Sequence, residues 1–412
     1  MSAIAVCVGD DARPALSVDA MLAAVPHRGL EVDTITVGRA AFGVRYERSG
    51  AASVAADDGH VAGIVGCLDN AADLRRELRA AGHHVPDGSA AGVLLAAVRA
   101  WGDDGLARLR GSYTGAWFDG TTLRFFRDHF GSRPLYWHHR RGAVFVATEI
   151  KQVVAGAGLT GAPDVEQLER IFYGDVEDGT AVAGVSRARR TSVGETDGSN
   201  DPVFRRYWDP RDLLETSRLS AAEAREGVAA LLERAVARCV GGEDAVLLSG
   251  GVDSTAVAAF ASPVYRRVAD RALPALSAVY PDHPSVDERT YIEMAADAFG
   301  INLSTYVPRA GALDDVERWV DLLDGPVDSL AIPQVAEAYR RAHGLGARSI
   351  LTGEVAEYVF QLGNYLLDHF LAHGRLSVAA RVLRDRHRRG RSWPALARQV
   401  ARAIVPPAFA ST

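Results

Sequence analysis

One nine-residue segment, Leu247 to Thr255, constrains the fold of this chain most strongly, because it joins an apolar run to a helix through two glycines. The run Ala245 to Leu248 is typical of a short buried strand, and helical spacing follows from Ser254. A junction of this kind points backbone amides at an anion beside a helix start, and glycine lets the anion reach the backbone. The segment therefore predicts a phosphate-binding loop in an α/β domain.

The side chains of this loop suit a polyphosphate that is accompanied by magnesium. Hydroxyl groups can donate to phosphate oxygens, and Asp253 offers a carboxylate of the kind that holds Mg²⁺. The loop lacks the Gly-Lys-Ser/Thr ending of the Walker type, which argues against an enzyme that transfers a γ-phosphate. A glycine-rich structural turn is the alternative. We assign nucleotide binding to Leu247, Ser249, Gly250, Gly251, Val252, Asp253, Ser254 and Thr255, and metal binding to Asp253.

Chain length and periodicity indicate two domains. The 412 residues exceed one ordinary hydrophobic core. Short β-prone runs with helices between them fill the first half and predict a sheet-rich α+β domain. Strands and helices alternate in the second half, which is typical of a parallel sheet covered by helices. A polar, turn-rich stretch at 192–201 precedes the boundary, which we predict near residues 205–215, giving domains at 1–205 and 206–412.

Composition excludes several classes of function. A net charge of −6 gives no reason to expect nucleic acid as a partner. No apolar run reaches the length of about 18 residues that a membrane span needs, and the first residues lack the basic region of a secretory signal. The three cysteines, Cys7, Cys67 and Cys239, have no metal-ligand spacing. We therefore expect a reduced, cytoplasmic protein.

Motifs along nearly the whole chain, from about residue 20, resemble those of the asparagine synthetase family. The 247–255 loop is similar to the pyrophosphate loop with which that family splits ATP between its α and β phosphates. The resemblance implies an N-terminal α+β, Ntn-glutaminase-like sandwich and a C-terminal α/β, parallel-sheet synthetase domain of the ATP-pyrophosphatase type, with ATP and Mg²⁺ as cofactors. The other matching segments are Gly66–Asn70, Leu109–Gly111, Arg127–Tyr136, Ala147–Lys151, Tyr207–Pro210 and Asp287–Tyr291.

The glutaminase half departs from the family pattern at its nucleophile. The resemblance implies an N-terminal cysteine thiolate, but Ser2 stands in that place, and a hydroxyl ionises far less than a thiol near neutral pH. The segment 87–91 offers no match to the acid that holds the glutamine amine. Asn70 is retained and can donate to an oxyanion, although an ordinary turn role is the alternative. We predict an inactive glutaminase in which Ser2 is catalytic only if that activity exists.

Loss of glutaminase fits one branch of the family. The same two-domain architecture occurs in β-lactam synthetases and lasso-peptide cyclases, which adenylate a carboxylate and close a ring with an amine already present in the substrate. An enzyme of this type needs no ammonia from glutamine.

The second ATP-side motif also departs from the family. The resemblance implies nucleotide contacts at Gly353 and Glu354, a second magnesium ligand at Glu357, and a catalytic position at Tyr358, where the family has glutamate. Val355 replaces a glycine, which restricts φ where the backbone approaches the nucleotide. These changes weigh against full synthetase activity.

The C-terminal part is predicted to be short and basic. The 52 residues after Phe360 are fewer than the family's acceptor-site region, and the catalytic lysine expected there is missing, since Lys151 is the chain's one lysine. Between residues 375 and 402, nine arginines accompany one acid, Asp385. We interpret them as a solvated helical face or, alternatively, as a patch for a peptide or protein partner.

These observations favour an ATP-dependent, AMP-forming amide ligase that acts on a small-molecule or peptide carboxylate, of the macrolactam- or lactam-forming kind. A glutamine-hydrolysing asparagine synthetase is one alternative. A degenerate partner subunit without chemistry is the other.

Overall fold

The structure is a computed structural model. It describes the 412-residue chain apart from residues 1, 11–12, 48–49, 141, 175–177, 211–218, 310, 312–313, 327–328, 330, 357–366, 368–369, 372, 389 and 405–412. The chain forms two units. The first contains Met1–Cys239 and Arg309–Glu337, and the second contains Val240–Pro308 and Ala338–Thr412.

Two six-stranded antiparallel sheets form the centre of the first unit. One has the order β10-β8-β9-β1-β3-β2 and the other β12-β11-β7-β6-β5-β4. The strands are β1 (Ser2–Gly9), β2 (Glu31–Val37), β3 (Ala40–Tyr46), β4 (Ala52–Asp57), β5 (His60–Leu68), β6 (Gly111–Phe118), β7 (Leu123–Arg127), β8 (Tyr136–Arg140), β9 (Ala143–Ala147), β10 (Ser186–Arg187), β11 (Ser192–Thr196) and β12 (Val203–Arg206).

Side chains from both sheets interdigitate to form the central core, as in other β-sandwiches. Strand β1 shows the principle, because its eight residues are all buried. Its side chains alternate between faces: Ile4 and Val6 enter the core between the sheets, whereas Ala5 and Cys7 enter a separate core on the outer face. A strand covered on both faces exposes no side chain to water, which explains its continuous apolar sequence from Ala3 onward.

Helices cover the outer face of each sheet and complete a four-layer α-β-β-α arrangement. Helices α1 (Pro14–Ala23) and α5 (Ile150–Ala157) cover the first sheet, with Met21 and Val153 in the shared core. Helices α2 (Ala71–Ala80), α3 (Ala90–Trp101) and α4 (Asp103–Arg108) cover the second sheet. The N-terminal α+β sandwich predicted from the sequence is therefore confirmed.

Lys151 anchors residues 309–337 to this sandwich. Its ammonium donates to the carbonyl of Asp321 at 2.7 Å, near the end of helix α10 (Val316–Leu323), where the helix dipole is negative. The same ammonium lies 3.3 Å from Asp324 and 3.4 Å from the buried Glu149. The chain's one lysine thus has a structural position in the first unit. The unit also contains α6 (Val165–Phe172), α7 (Ala221–Cys239) and the first residues of α11 (Ile332–Gly344).

The second unit contains a four-stranded parallel sheet of order β15-β14-β13-β16. Its strands are β13 (Asp244–Leu247), β14 (Pro274–Ala278), β15 (Asn302–Tyr306) and β16 (Ser349–Leu351). Its helices are α8 (Val252–Ala269), α9 (Arg289–Phe299), the end of α11, α12 (Leu376–Arg388) and α13 (Trp393–Ile404). Alanines of α11 pack on Ala245 and Leu276 of the sheet. The predicted α/β parallel-sheet domain is confirmed.

The strand order places a topological switch point at β13. From β13 the chain proceeds to β14 and β15 on one side, and it returns to β16 on the other side. Ligands in open parallel sheets bind where the order reverses, outside the carboxyl ends of the strands. The loops that follow β13 and β16 therefore meet where a ligand is expected.

Two segments of the second half have the Ser-x-x-Glu sequence of a helix capping box, and only one of them caps a helix. Ser220 and Glu223 each accept the other's backbone amide at the start of α7. Ser285 to Glu288 forms no such cap, because α9 begins only at Arg289. Along α7, Val236 is buried and Val228 is exposed. Among the described residues, no helix is long and apolar enough to cross a membrane.

Candidate nucleotide-binding site

The loop between β13 and α8 is held open by its glycines and by its attachment to β14. The Leu248 amide donates to the carbonyl of Leu276, and the Leu248 carbonyl accepts from the Ser277 hydroxyl at 2.6 Å. Gly250 follows with φ of +83°, a conformation that side chains disfavour. A Cβ at this position would lie 3.1 Å from the Glu288 Cβ. The loop thus requires glycine both for its conformation and for its close packing.

The side chain of Ser254 stabilises the loop through hydrogen bonds to Ser249. Its buried hydroxyl oxygen accepts from the Ser249 amide at 3.1 Å and lies 2.9 Å from the Ser249 hydroxyl. The Ser249 hydroxyl oxygen also accepts weakly from the Gly251 amide, at 3.3 Å. Both serines were predicted to bind the nucleotide, and here they preorganise the backbone of the loop. Ser249 is an exposed residue of the loop.

Backbone amides at the start of α8 are left open. Gly251 precedes the helix without a side-chain cap, and the first intrahelical bond belongs to Thr255. In the part of the chain that the structure describes, the amides of Gly250, Val252, Asp253 and Ser254 have no acceptor within hydrogen-bond distance. A helix start with open amides favours an anion, as the sequence predicts.

The loop after β16 lies directly against the start of α8. A Cβ on Gly353 would lie 2.5 Å from the Ser254 nitrogen and 3.0 Å from the Asp253 Cβ, so no side chain fits there. The Ala356 amide donates to the Gly353 carbonyl at 3.3 Å, which closes a tight turn with Val355 as its third residue. Val355 has φ of +71°, in the left-handed region that a β-branched residue rarely adopts.

A cavity of ≈250 Å³ extends from the loop along the carboxyl ends of the strands. Leu247 and Ser249, which were assigned to nucleotide binding from the sequence, line it. The other lining residues are Leu248, Leu276, Ala278, Tyr280, Val286, Glu288, Tyr306 and Ala338. Their shared property is position, since several end or follow β14 and β15. The rule that ligands bind at strand ends was available from the sequence, but β15 was not recognised as a strand.

The acidic positions of the predicted magnesium site are described only in part. Asp253 is half-buried in the first turn of α8, and Glu354 is exposed. Glu357 and Tyr358 lie outside the described residues. The described part of the chain contains no group of three His, Cys, Asp or Glu side chains that could hold a metal ion. Asp253 and the open amides nevertheless fit a magnesium-bound polyphosphate in donor type and charge.

The predicted glutaminase residues lie in the first unit. Ser2 is buried in β1, and its hydroxyl oxygen has no hydrogen-bond partner among the described residues. The Asn70 amide group donates to the carbonyl of Arg108 at 3.0 Å, and its oxygen accepts from the Arg110 amide at 2.8 Å. Asn70 therefore joins two loops. The carboxylate of Asp87 accepts from the Ser89 amide at the start of α3.

Comparison with known proteins assigns both halves. A model of the glutamine amidotransferase domain matches residues 1–208, and a model of asparagine synthase matches residues 227–408. The chain is therefore of a class in which an amidotransferase domain, which contains the β-sandwich, precedes a synthase domain, which contains the loop after β13. The chain belongs to the asparagine synthetase family.

Curated relatives agree with this placement. Asparagine synthetase [glutamine-hydrolyzing] 3 of Bacillus subtilis is 27% identical over 277 residues, which cover 63% of this chain and 45% of the relative. A putative asparagine synthetase of Mycobacterium tuberculosis is 32% identical, with 50% and 33% covered. Carboxyethyl-arginine beta-lactam-synthase of Streptomyces clavuligerus is 36% identical, with 32% and 25% covered. The chain spans less than half the length of each of these relatives.

Proposed function

We propose that this chain is an ATP-dependent, AMP-forming amide ligase that joins a carboxylate to an amine already present in its substrate. A carboxylate oxygen attacks the α-phosphorus of ATP, and pyrophosphate leaves. The amine nitrogen then attacks the acyl carbon of the adenylate, AMP leaves, and the amine loses a proton. A macrolactam or lactam is the product when both groups belong to one molecule, as in lasso-peptide cyclisation.

The observation that carries this proposal is the set of open amides at the start of α8. Together with the dipole of an 18-residue helix, they favour a polyphosphate beside the loop. Asp253 would hold the magnesium ion, which would neutralise phosphate charge. The adjoining cavity has aromatic and aliphatic walls, among them Tyr280 and Tyr306, which suit an adenine base.

The state of the first unit favours an amine other than ammonia from glutamine. Ser2 carries a hydroxyl where the family has a cysteine thiol, and Asn70 is engaged by two backbone partners. A relative that matches this chain is itself named a beta-lactam synthase. We therefore place the chain with ring-forming members of the family. Glutamine-hydrolysing asparagine synthetase is the second candidate, favoured by the names of the other relatives.

Pyrophosphate exchange into ATP, measured with candidate carboxylates, tests the adenylation step. Asp253→Ala should abolish exchange while the protein remains folded, because the proposed metal ligand is lost. Asp282→Ala is the matched control, since it removes an exposed carboxylate from the same unit. Unchanged exchange in Asp253→Ala would contradict the assignment. Folded protein that binds no magnesium-ATP and shows no exchange would instead support the degenerate-subunit alternative.

A glutaminase assay separates the two enzyme candidates. We expect no useful release of glutamate from glutamine by the wild-type chain. Robust glutamate production that disappears in Ser2→Ala would overturn the proposed source of the amine and favour an asparagine synthetase. A protein or peptide partner at the arginines of residues 375–402 remains a proposal that pull-down with an acidic peptide tests.

A further inference from the structure

A second cavity, of ≈560 Å³, lies within the first unit and is lined by arginines. We call it the arginine cavity. Its charged lining consists of Arg127, Arg187, Arg189, Arg190 and Arg206, with one carboxylate, Asp178. The cavity shares no residue with the nucleotide site or with the predicted glutaminase residues. Five guanidinium groups against one carboxylate give its walls a strong positive charge at neutral pH.

Backbone carbonyls fix the central arginine in place. Arg127 ends β7, and its guanidinium donates to the carbonyls of Arg133 at 2.7 Å, Ala188 at 3.2 Å and Gly131. These acceptors orient the guanidinium but carry no formal charge. The positive charge of Arg127 is therefore positioned without being neutralised.

Three of the five arginines lack a carboxylate partner. Arg189 is paired with Asp178 at 2.5 Å, and Arg206 is paired with Asp209 at 2.5 Å. Within the described part of the chain, no carboxylate lies within 4.0 Å of Arg127, Arg187 or Arg190. Burial, followed by the charges of Arg187 and Arg190 among other groups, lowers the pKa of Arg127. Like charges therefore face one another across the cavity.

Arg187 supplies a second, independent observation. Its Nε is buried and has no hydrogen-bond partner among the described residues. An unpartnered buried donor is rare in folded proteins and indicates that a bound species completes the site. Because the donor is part of a cation in a positively charged cavity, an anion is the species that satisfies both the hydrogen bond and the charge.

We propose that the arginine cavity binds a small anion of the phosphate-ester or polyphosphate class, carrying at least two negative charges. The planar guanidinium matches the geometry of phosphate oxygens and forms paired hydrogen bonds with them. Phe130 and Phe204 also line the cavity, which leaves an apolar edge for an organic group attached to the phosphate. Its volume lies within the range typical of small-molecule sites, about 300–1,000 Å³.

Hydrogen–deuterium exchange of the full-length chain with inorganic tripolyphosphate, in magnesium-free buffer, tests this site separately from the nucleotide loop. We expect protection in peptides that cover residues 127–133 and 186–192. Titration calorimetry should show that Arg190→Ala weakens this binding about tenfold, the fold-change for one lost charged hydrogen bond. Arg190 is suited to substitution, because it is exposed and its side chain has no hydrogen-bond or ion-pair partner among the described residues.

Two further variants make the test decisive. Arg79→Ala removes an equally exposed arginine from α2 and should leave binding unchanged. Arg187→Lys keeps the positive charge but loses the planar guanidinium that can form paired hydrogen bonds. Its affinity for tripolyphosphate should therefore fall between those of wild type and Arg187→Ala. Protection confined to residues 249–255 would overturn the proposal, as would equal losses in Arg190→Ala and Arg79→Ala. Equal affinity for citrate and tripolyphosphate would contradict the phosphate class.

Discussion

Two loops of this molecule are built from similar residues, but the backbone amides of one loop are satisfied internally and those of the other are left open. The loop at 128–132 and the loop at 249–254 each follow a strand, each contain a glycine with positive φ, and each contain serines. In the first, the carboxylate of Asp128 accepts from the amides of Phe130 and Ser132 and from the Ser132 hydroxyl at 2.7 Å. In the second, no carboxylate of the described residues accepts from the loop amides.

The difference shows how a structural loop and a binding loop can be told apart. Asp128 is 1% exposed and accepts from the amides around it, so those amides need no external acceptor. The serines at 249 and 254 hold their loop by hydroxyl contacts and leave its outward amides open. The amides of the first loop are therefore part of the fold, whereas the open amides of the second are available to an anion.

Gly250→Ala should have the largest effect on function. The added methyl group would meet Glu288 and force the loop out of its positive φ. We expect pyrophosphate exchange to fall about 100-fold, the scale for lost backbone donors around developing charge. Gly346→Ala is the matched control, because Gly346 has φ of +82° but no neighbour within 4 Å of a Cβ.

Both glycine variants should lose a similar amount of stability, about 1–2 kcal/mol, from the left-handed backbone alone. Exchange should survive in Gly346→Ala. An equal loss of exchange in the two variants would show that backbone strain, and not the loop geometry, accounts for the effect.

Asp128→Ala should have the largest effect on stability. The substitution leaves the buried amide of Tyr113 and the amides of Phe130 and Ser132 without their acceptor. We expect a loss of about 3 kcal/mol in the free energy of unfolding, measured by urea denaturation of the first unit. Asp197→Ala removes a surface carboxylate that accepts from Ser199 and should leave the urea midpoint unchanged. A small loss in Asp128→Ala would mean that water replaces the carboxylate.

Glu149→Gln tests a buried ion-pair network in the same unit. Glu149 accepts from His27 at 2.9 Å and from Arg28, and its other oxygen lies 3.4 Å from the Lys151 ammonium. Removing the central charge should cost about 2 kcal/mol, because the partly buried side chains around it lose their buried carboxylate partner. Glu77→Gln removes an exposed partner of Arg108 and should cost less than about 0.5 kcal/mol. Equal costs would place the Glu149 network among ordinary surface pairs.

Elements with clear periodicity could be predicted from the sequence, but contacts between distant segments could not. Helices α2 and α3 can be predicted from the sequence, since their apolar positions recur with helical spacing. Strand β1 was not recognised, because a run buried on both faces shows no alternation. The meeting of Arg127 with the backbone at Ala188, 61 residues apart, depends on sheet pairing. No local pattern reports it.

The loop at 353–356 packs against the start of α8 and contains Val355 in the left-handed region of the backbone. Val355 is the third residue of a turn closed by the Ala356 amide, and its φ of +71° is one that glycine adopts without strain. Val355 stands where the family has glycine, and its positive φ shows why glycine fits. Val355→Gly should therefore release backbone strain of about 1 kcal/mol, less the entropy that glycine gains in the unfolded chain.

The expected net result is an increase of about 0.5 kcal/mol in the free energy of unfolding of the second unit, read from urea denaturation. Val307→Gly is the matched control, since Val307 is exposed in a loop and its φ is not positive. That variant should lose stability, because glycine adds only freedom to the unfolded state. If both variants lose stability alike, Val355 is not strained, and its replacement of glycine leaves the turn against α8 undisturbed. If Val355→Gly gains stability and also raises pyrophosphate exchange, strain in this turn limits the open-amide site beside it.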